Sequence, residues 1–420
     1  MSNSFSIALS GLDAANTALD VTSNNIANAN TVGFKDSQAE FADVYASGAV
    51  NLNTSTSGEG VQVLTAAQQF TQGNITTTSA GALDLAISGN GFFTLNSPNG
   101  PEYSRNGQFS EDSQGNVVSD TGQFLQVYPP LATGGFNTGA LSNLNLNTAQ
   151  SAPLATTTGN AILNLPSNAT VPAQAPFDPT NSATYNQSTS TTVFDSLGNS
   201  YPATFFFSQT ATPGVWNVNL TVNGTQVGGP PPAADPAPPQ TLTFSPTGVL
   251  TAPANGNLQF GAFSPTDGAQ VLNPTFNFGQ STQFGQQFGV SSITQNGFTT
   301  GQLSTVSIDP TGIVSAVYTN GRSTQLGQLA IANFPNEQGL QQLGNTNWSQ
   351  TFASGTVVQG TAGSADFGSI QSGALESSNV DLTTELVNMI TEQRAFQANA
   401  QVITTADQMS QTVIGISTNG

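Results

Sequence analysis

Few side chains in this 420-residue chain can do chemistry, and their types restrict it sharply. There is no Cys and no His, which removes thiolate nucleophiles, disulfides, Cys or His metal ligands and imidazole acid–base catalysis. A serine nucleophile has no His to activate it. The basic residues are Lys35, Arg105, Arg322 and Arg394, too few for phosphoryl chemistry. Carboxylate chemistry is what remains. Asp84 and Asp309 stand alone beside predicted strands, with no assignable partner. Glu111-Asp112-Ser113-Gln114-Gly115-Asn116 lacks the alternating carboxylates and closing Glu of a calcium loop, so it reads as a polar turn. Gly89-Asn90-Gly91 is followed by neither Lys-Ser/Thr nor a helix, so it reads as a tight turn and not a nucleotide loop. The residues therefore predict no catalytic group, no cofactor and no metal.

The charge balance narrows the partners. Charged residues are 6% of the chain, against about 25% in an average globular protein. The net charge is −19, which disfavours nucleic acid and anionic membrane surfaces. Ser, Thr, Asn and Gln must supply solubility, a composition suited to extracellular, β-rich, self-associating proteins. No run of about 18 apolar residues occurs, so no membrane insertion is expected. The N-terminal residues lack a basic region and an apolar core, so a cleaved secretory signal is not expected either.

The elements that position these residues fall into two kinds. Near the N-terminus, Phe5, Leu12, Leu19 and Ile26 recur every seven residues, and Leu9, Asn16, Ser23 and Asn30 form a companion row. Such rows are the two seam positions of a heptad helix. Gly33 stands where the chain can leave that helix. At the other end, Leu375, Leu382, Met389, Phe396 and Ile403 repeat the interval, with Leu386, Gln393, Ala400, Asp407 and Ile414 in the companion row. Two core helices of one globular domain would also satisfy this pattern. However, residues 4–30 carry only Asp13 and Asp20 as charges. A helix so poor in charge wants neighbours on several sides, so the ends are expected to order on assembly.

Between them the chain reads as β structure. Turn signals such as Gln114-Gly115-Asn116, Leu197-Gly198-Asn199, Pro310-Thr311-Gly312 and Thr319-Asn320-Gly321 punctuate short apolar runs. Thr204-Phe205-Phe206-Phe207 and Trp216-Asn217-Val218-Asn219-Leu220 read as paired strands. Boundaries are expected at residues 65–78, at 148–160, and in the proline-rich loop from Gly228 to Pro239. The Phe-Gly-rich stretch from Phe276 to Gly289 reads as strands of an inserted domain, or as a cohesive disordered segment. The predicted fold class is a mainly β multidomain chain with paired, coiled-coil-like terminal α-helices and nested, discontinuous domains.

Two terminal motifs carry a family resemblance. Leu19-Asp20-Val21-Thr22-Ser23-Asn24-Asn25-Ile26-Ala27-Asn28-Ala29-Asn30-Thr31-Val32-Gly33-Phe34-Lys35 resembles the N-terminal signature of flagellar rod and hook proteins. The segment from Ser378-Asn379-Val380-Asp381-Leu382 through Glu392-Gln393-Arg394-Ala395-Phe396-Gln397-Ala398-Asn399 resembles their C-terminal signature. The motifs from Ile87 to Phe93 and from Tyr103 to Phe109 look like the inner β domain of the same axial family. Thr294–Gly301, Ile308-Asp309 and Tyr318–Gly321, with an insertion too long for a rod protein, are most similar to the hook members. Over 151–275 the resemblance is weak.

That resemblance implies four regions. Residues 1–30 with 375–420 would form an inner helical polymerisation domain, and 31–75 with 355–374 an extended joining region. Residues 76–150 with 289–354 would form an inner β domain, and 151–288 an inserted outer β domain. It also implies a helical homopolymer: a flexible extracellular coupling that carries torque from rod to filament, located in the bacterial flagellar hook. Its implied partners are further copies of itself, the rod, the hook cap, the hook–filament junction proteins and the export apparatus. Export would proceed without a cleaved signal. Phe5 and Leu9 resemble the export-gate motif of such substrates and equally fit the first heptad turn. Deleting 151–288 is expected to spare tube formation and alter curvature. A distal rod or other axial protein, a secreted adhesive β protein, and a carboxylate-only enzyme acting on an extracellular polymer through two facing acids are the alternatives.

Overall fold

The computed structural model describes residues 2–44, 58–79, 81–147, 150–227 and 239–418. The proline-rich run 228–238 and the side chain of Ile414 lie outside the described residues. The chain divides into two units, one of residues 1–147, 306–316 and 324–420, the other of 148–305 and 317–323.

The first unit holds both helices, α1 (Ser2–Ala27) and α2 (Leu382–Thr418). At 1.5 Å per residue they run about 39 and 56 Å. Asp381 starts α2: its side chain accepts from the amides of Thr383 (2.8 Å) and Thr384 (3.1 Å), two of the donors a helix start leaves unpaired. Asp381 thus ends the heptad pattern six residues short of its first apolar member. Leu375 is not helical. It is buried in the strand Ala374–Glu376, which pairs antiparallel with Ile75–Thr77.

The described parts of the joining regions carry β structure. Ser37–Asp43 and Val61–Gln68 pair as an antiparallel ribbon. Val358–Thr361 pairs with Ser323–Asn333, and Ser369–Ser372 with Leu85–Ser88, so these segments belong to the β structure. The main sheet runs in the order Ser323–Asn333, Phe124–Tyr128, Phe92–Ser97, Gly100–Ser104, Asn347–Ser349, Gln341–Gly344. Its two faces bury different cores. One gathers aliphatic side chains such as Leu85, Leu95, Leu125, Val127 and Ile331. The other is aromatic: Phe92, Tyr103, Phe334 and Trp348, with Phe70 edge-on to Phe92 and Trp348 at 5.6 Å.

The second unit is built from two sheets. Ser200–Gln209 pairs with Val215–Val222, joining Phe205 to Leu220 and Phe207 to Val218. Alternation sends Ala203, Phe205 and Phe207 into the core beside Trp216, Phe260, Phe276 and Phe278. The Phe-Gly-rich stretch is therefore ordered: Phe276 and Phe278 are core, with Phe205 edge-on to Phe276 at 4.8 Å, whereas Phe284 is exposed. This unit extends past residue 288, because Gly289–Gln295 pairs with Thr158–Pro166. That strand has few apolar residues, and its partner lies far back in the chain. Of the two isolated acids, Asp84 accepts from the Thr78 hydroxyl, and Asp309, like Asp112 and Asp195, serves a turn by accepting from backbone amides two and four residues on.

Candidate assembly site

Small side chains line one stripe of α1: Ala8, Gly11, Ala15, Ala18, Thr22 and Asn25, alternating three and four residues apart. All but the half-buried Gly11 are buried. This stripe meets α2. A Cβ on Gly11 would stand 2.9 Å from the Asn399 side chain, so glycine there permits a close approach. Further along α1, Thr22 lines a common cleft with Glu385, which lies fourteen residues back along α2 from Asn399. The helices are therefore antiparallel. On α2 the facing row is Glu385, Met389, Glu392, Phe396, Asn399, Ile403, Ala406 and Ser410, each at least half-buried.

None of Phe5, Leu12, Leu19 and Ile26 falls in that α1 stripe, so the predicted seam is met only on α2, and there in part of one row. Met389, Phe396 and Ile403 lie in it, and Leu12, Leu19 and Ile26 are half-buried. Leu386 is 50% exposed and points away; Glu385 takes the companion position. Phe5, Leu9, Asn16 and Leu382 are exposed as well, so Asn16 does not set the register within the chain. With Val387, Ile390, Val402 and Met409, these residues leave apolar rows uncovered on both helices.

The family-signature residues are mostly joints between the helices and the β structure. Asn25 donates to the Ser37 carbonyl (2.8 Å) and accepts from the Ser37 amide (3.0 Å). Asn379 accepts from the Asp36 amide (2.8 Å) and donates to the Asp36 carboxylate (2.6 Å) and the Gln69 carbonyl (2.9 Å). Asn28 donates to the carbonyl of Asn24 (3.0 Å) and accepts from Thr31 (3.1 Å), closing the turn after α1. The helix ends at Ala27, six residues before Gly33, so Gly33 is not its cap. Gly33 has φ +69°, and a Cβ there would stand 2.5 Å from the Asn106 amide nitrogen, which excludes other residues. Phe34 is buried beside it, and Arg394 is exposed.

Beneath this joint lies an ion cluster for which the sequence gives no local signal. Glu376 is fully buried and accepts from Lys35 Nζ (2.6 Å), Arg105 (3.1 Å) and the Gly73 amide (2.9 Å). Lys35 also donates to the Thr71 carbonyl (2.7 Å), and Arg105 to that of Gly89 (2.9 Å). Arg105 further sits 5.4 Å from the Phe92 ring centre. Burial pulls the pKa of Lys35 and of Arg105 down, and the adjacent Glu376 opposes both shifts. Half of the chain's cations are committed here. The cluster ties the segment after α1, the segment before α2 and the sheet to one buried carboxylate.

Between α1, α2 and the strand Ser37–Asp43 lies a cleft of about 470 Å3, whose acidic side chains are Asp36, Glu385 and Glu392. Burial raises the pKa of Glu385 and of Asp36. No three acids among the described residues stand close enough to hold a metal ion, and no described helix is long and apolar enough to cross a membrane.

Known proteins match this sequence over nearly the whole chain. The flagellar hook protein FlgE of Escherichia coli is 40% identical over 423 residues, spanning 98% of this chain and 99% of its own. The chain belongs to the flagellar hook protein family. The hook protein FlgE of Salmonella typhimurium is likewise 40% identical, and that of Borreliella burgdorferi 31% identical over 99% of both chains. Family models match in four places. They are a flagella basal body rod protein model (5–35), a flagellar hook protein FlgE/F/G D1 domain (86–176), a flagellar basal body protein FlaE D2 domain (164–298) and a flagellar basal body rod FlgEFG C-terminal model (371–416). The crystal structure of Helicobacter pylori flagellar hook protein FlgE2 has the same fold, with a TM-score of 0.50 over 72% of this chain and all of that one, at 14% identity. Most of each terminal helix and the ion cluster's Lys35 and Glu376 fall within the matched rod and C-terminal segments.

Proposed function

We propose that this chain is a non-enzymatic subunit of the bacterial flagellar hook. Copies polymerise through the α1–α2 layer into a curved, flexible tube that passes torque from rod to filament. The observation that carries this reading is the uncovered apolar row on α2, with Leu386, Val387 and Ile390 each at least half exposed. Leaving such side chains in water forgoes about 1.5–3 kcal/mol each, which contact between copies recovers. Nearly full-length identity to hook proteins supports the same conclusion. Rod, cap and hook–filament junction proteins are the further partners of this reading. Phe5 and Leu9, both exposed, suit presentation to an export apparatus; normal secretion of a Phe5→Ala variant would remove that role.

Electron microscopy of the concentrated full-length protein tests the polymer. Curved tubes are expected, and they should disappear when 1–30 or 375–420 are removed. Leu386→Asp should change monomer stability by less than about 0.5 kcal/mol, as surface substitutions do, yet abolish tubes. Tubes formed normally by that variant would overturn the helical interface.

A further inference from the structure

The chain has four cations, and three have partners within the molecule. Lys35 and Arg105 are spent on Glu376, and Arg322 lies 4.8 Å from the ring centre of Phe298. Arg394 is exposed on α2 and makes no ion pair among the described residues. Two positions away, Glu392 has the complementary deficit. It is half-buried on the seam, lines the cleft between α1, α2 and the ribbon, and has no cationic partner among the described residues. The two cannot satisfy each other. Residues two apart on a helix point roughly 200° from one another, so Arg394 faces outward where Glu392 faces in.

We propose that Arg394 of one copy enters the α1–α2 cleft of the next copy and pairs there with Glu392 and Glu385. This rests on the polymer reading above and names its polar contact. Charge balance selects the occupant. In a chain of net charge −19, the uncommitted cation is the group best suited to an acidic cleft that holds none. The cleft, at about 470 Å3, has room for a guanidinium, whose fork can span two carboxylates. Geometry selects the kind of assembly. Donor and acceptor lie on opposite faces of one helical layer, so the contact is heterologous. Such contacts propagate head to tail into a ring or an open helix, not a closed two-fold dimer. The exposed Leu386 and Ile390 share the Arg394 face, at intervals of four residues, and would pack beside the ion contact.

The test is a double-mutant cycle on the critical concentration for tube formation by full-length protein, read as the protein left in solution after the polymer is sedimented. Helix content of the monomeric variants is checked by circular dichroism, and Glu392→Gln serves as a variant that keeps the cleft's shape. Arg394→Ala and Glu392→Ala should each raise the critical concentration roughly tenfold, as for a charge-assisted hydrogen bond. Together they should do little more than either alone. Exchanging the charges, Arg394→Glu with Glu392→Arg, should recover most of the loss. An unchanged critical concentration for Arg394→Ala, or two effects that simply multiply, would overturn the contact. Leu386→Asp, measured alongside, separates the two readings. If it blocks assembly while Arg394→Ala does nothing, the polymer stands and the contact falls. A wild-type chain that stays monomeric throughout would overturn both.

Discussion

The two units of this molecule solve burial differently. In the second, twenty buried side chains, including Trp216 and seven phenylalanines, close one core. In the first, the sheet is equally well filled, but the helical layer is not. α1 meets α2 through alanines, Gly11, Thr22 and Asn25, while Leu382, Leu386, Val387, Ile390 and Val402 of α2 face outward. On α2 the seam keeps Met389, Phe396 and Ile403 and leaves these other large side chains out. A layer built this way leaves apolar side chains for a further copy to cover, whereas the second unit encloses its aromatic core.

The sharpest way to break this contrast is through Glu376. Glu376→Ala strands Lys35 and Arg105 in the interior, and breaking a buried pair in this way costs about 3–5 kcal/mol. Denaturant unfolding should show the loss in the first unit, with exchange protection in the ribbon and α1 falling before that of the second unit. If the two units lost protection together, they would not be energetically separate. Phe205→Ala is the matching lesion in the second unit, at about 3–4 kcal/mol for a large-to-small core change. Tubes should still form at low temperature, though with altered curvature. Absence of all polymer would mean that the second unit is not dispensable for assembly.

The smallest effect concerns pH. Burial raises the pKa of Glu385 and Asp36 above their ordinary values, so the folded state holds their protons more tightly than the unfolded chain. Their stabilising contribution is therefore full below the ordinary carboxylate range and is lost as pH rises through the raised values. Monomer stability should fall modestly over that window. Glu385→Gln should flatten the fall and be slightly stabilising at neutral pH. A steeper dependence in that variant would assign the effect to other acids.

Much of the helical layer was legible because it is local. Met389, Phe396 and Ile403 share a face at seven-residue spacing whatever packs against them, and a nearly uncharged α1 signals contacts on more than one side. The choice of the companion row was not legible. Periodicity reports which side chains share a face, not which face meets the partner in the same chain. With two apolar partners to serve, the more apolar row, containing Leu386, was left outside, and Glu385 and Glu392 turned inward. Leu375 was misplaced for a related reason: the interval of seven runs on through Ser378 and Asn379, but Asp381 caps the helix.

What the sequence determined by itself was composition-borne or local: the absence of His and Cys chemistry, helices at both ends, β structure between them, and a family signature in each terminal segment. Only the tertiary structure decided which distant groups meet. Lys35 and Glu376 are separated by 341 residues, and Gly289–Gln295 finds its partner strand more than a hundred residues upstream. No spacing rule connects such positions. They are brought together by the sheets that bury the chain between them, and a buried carboxylate persists at Glu376 because two cations and an amide converge on it.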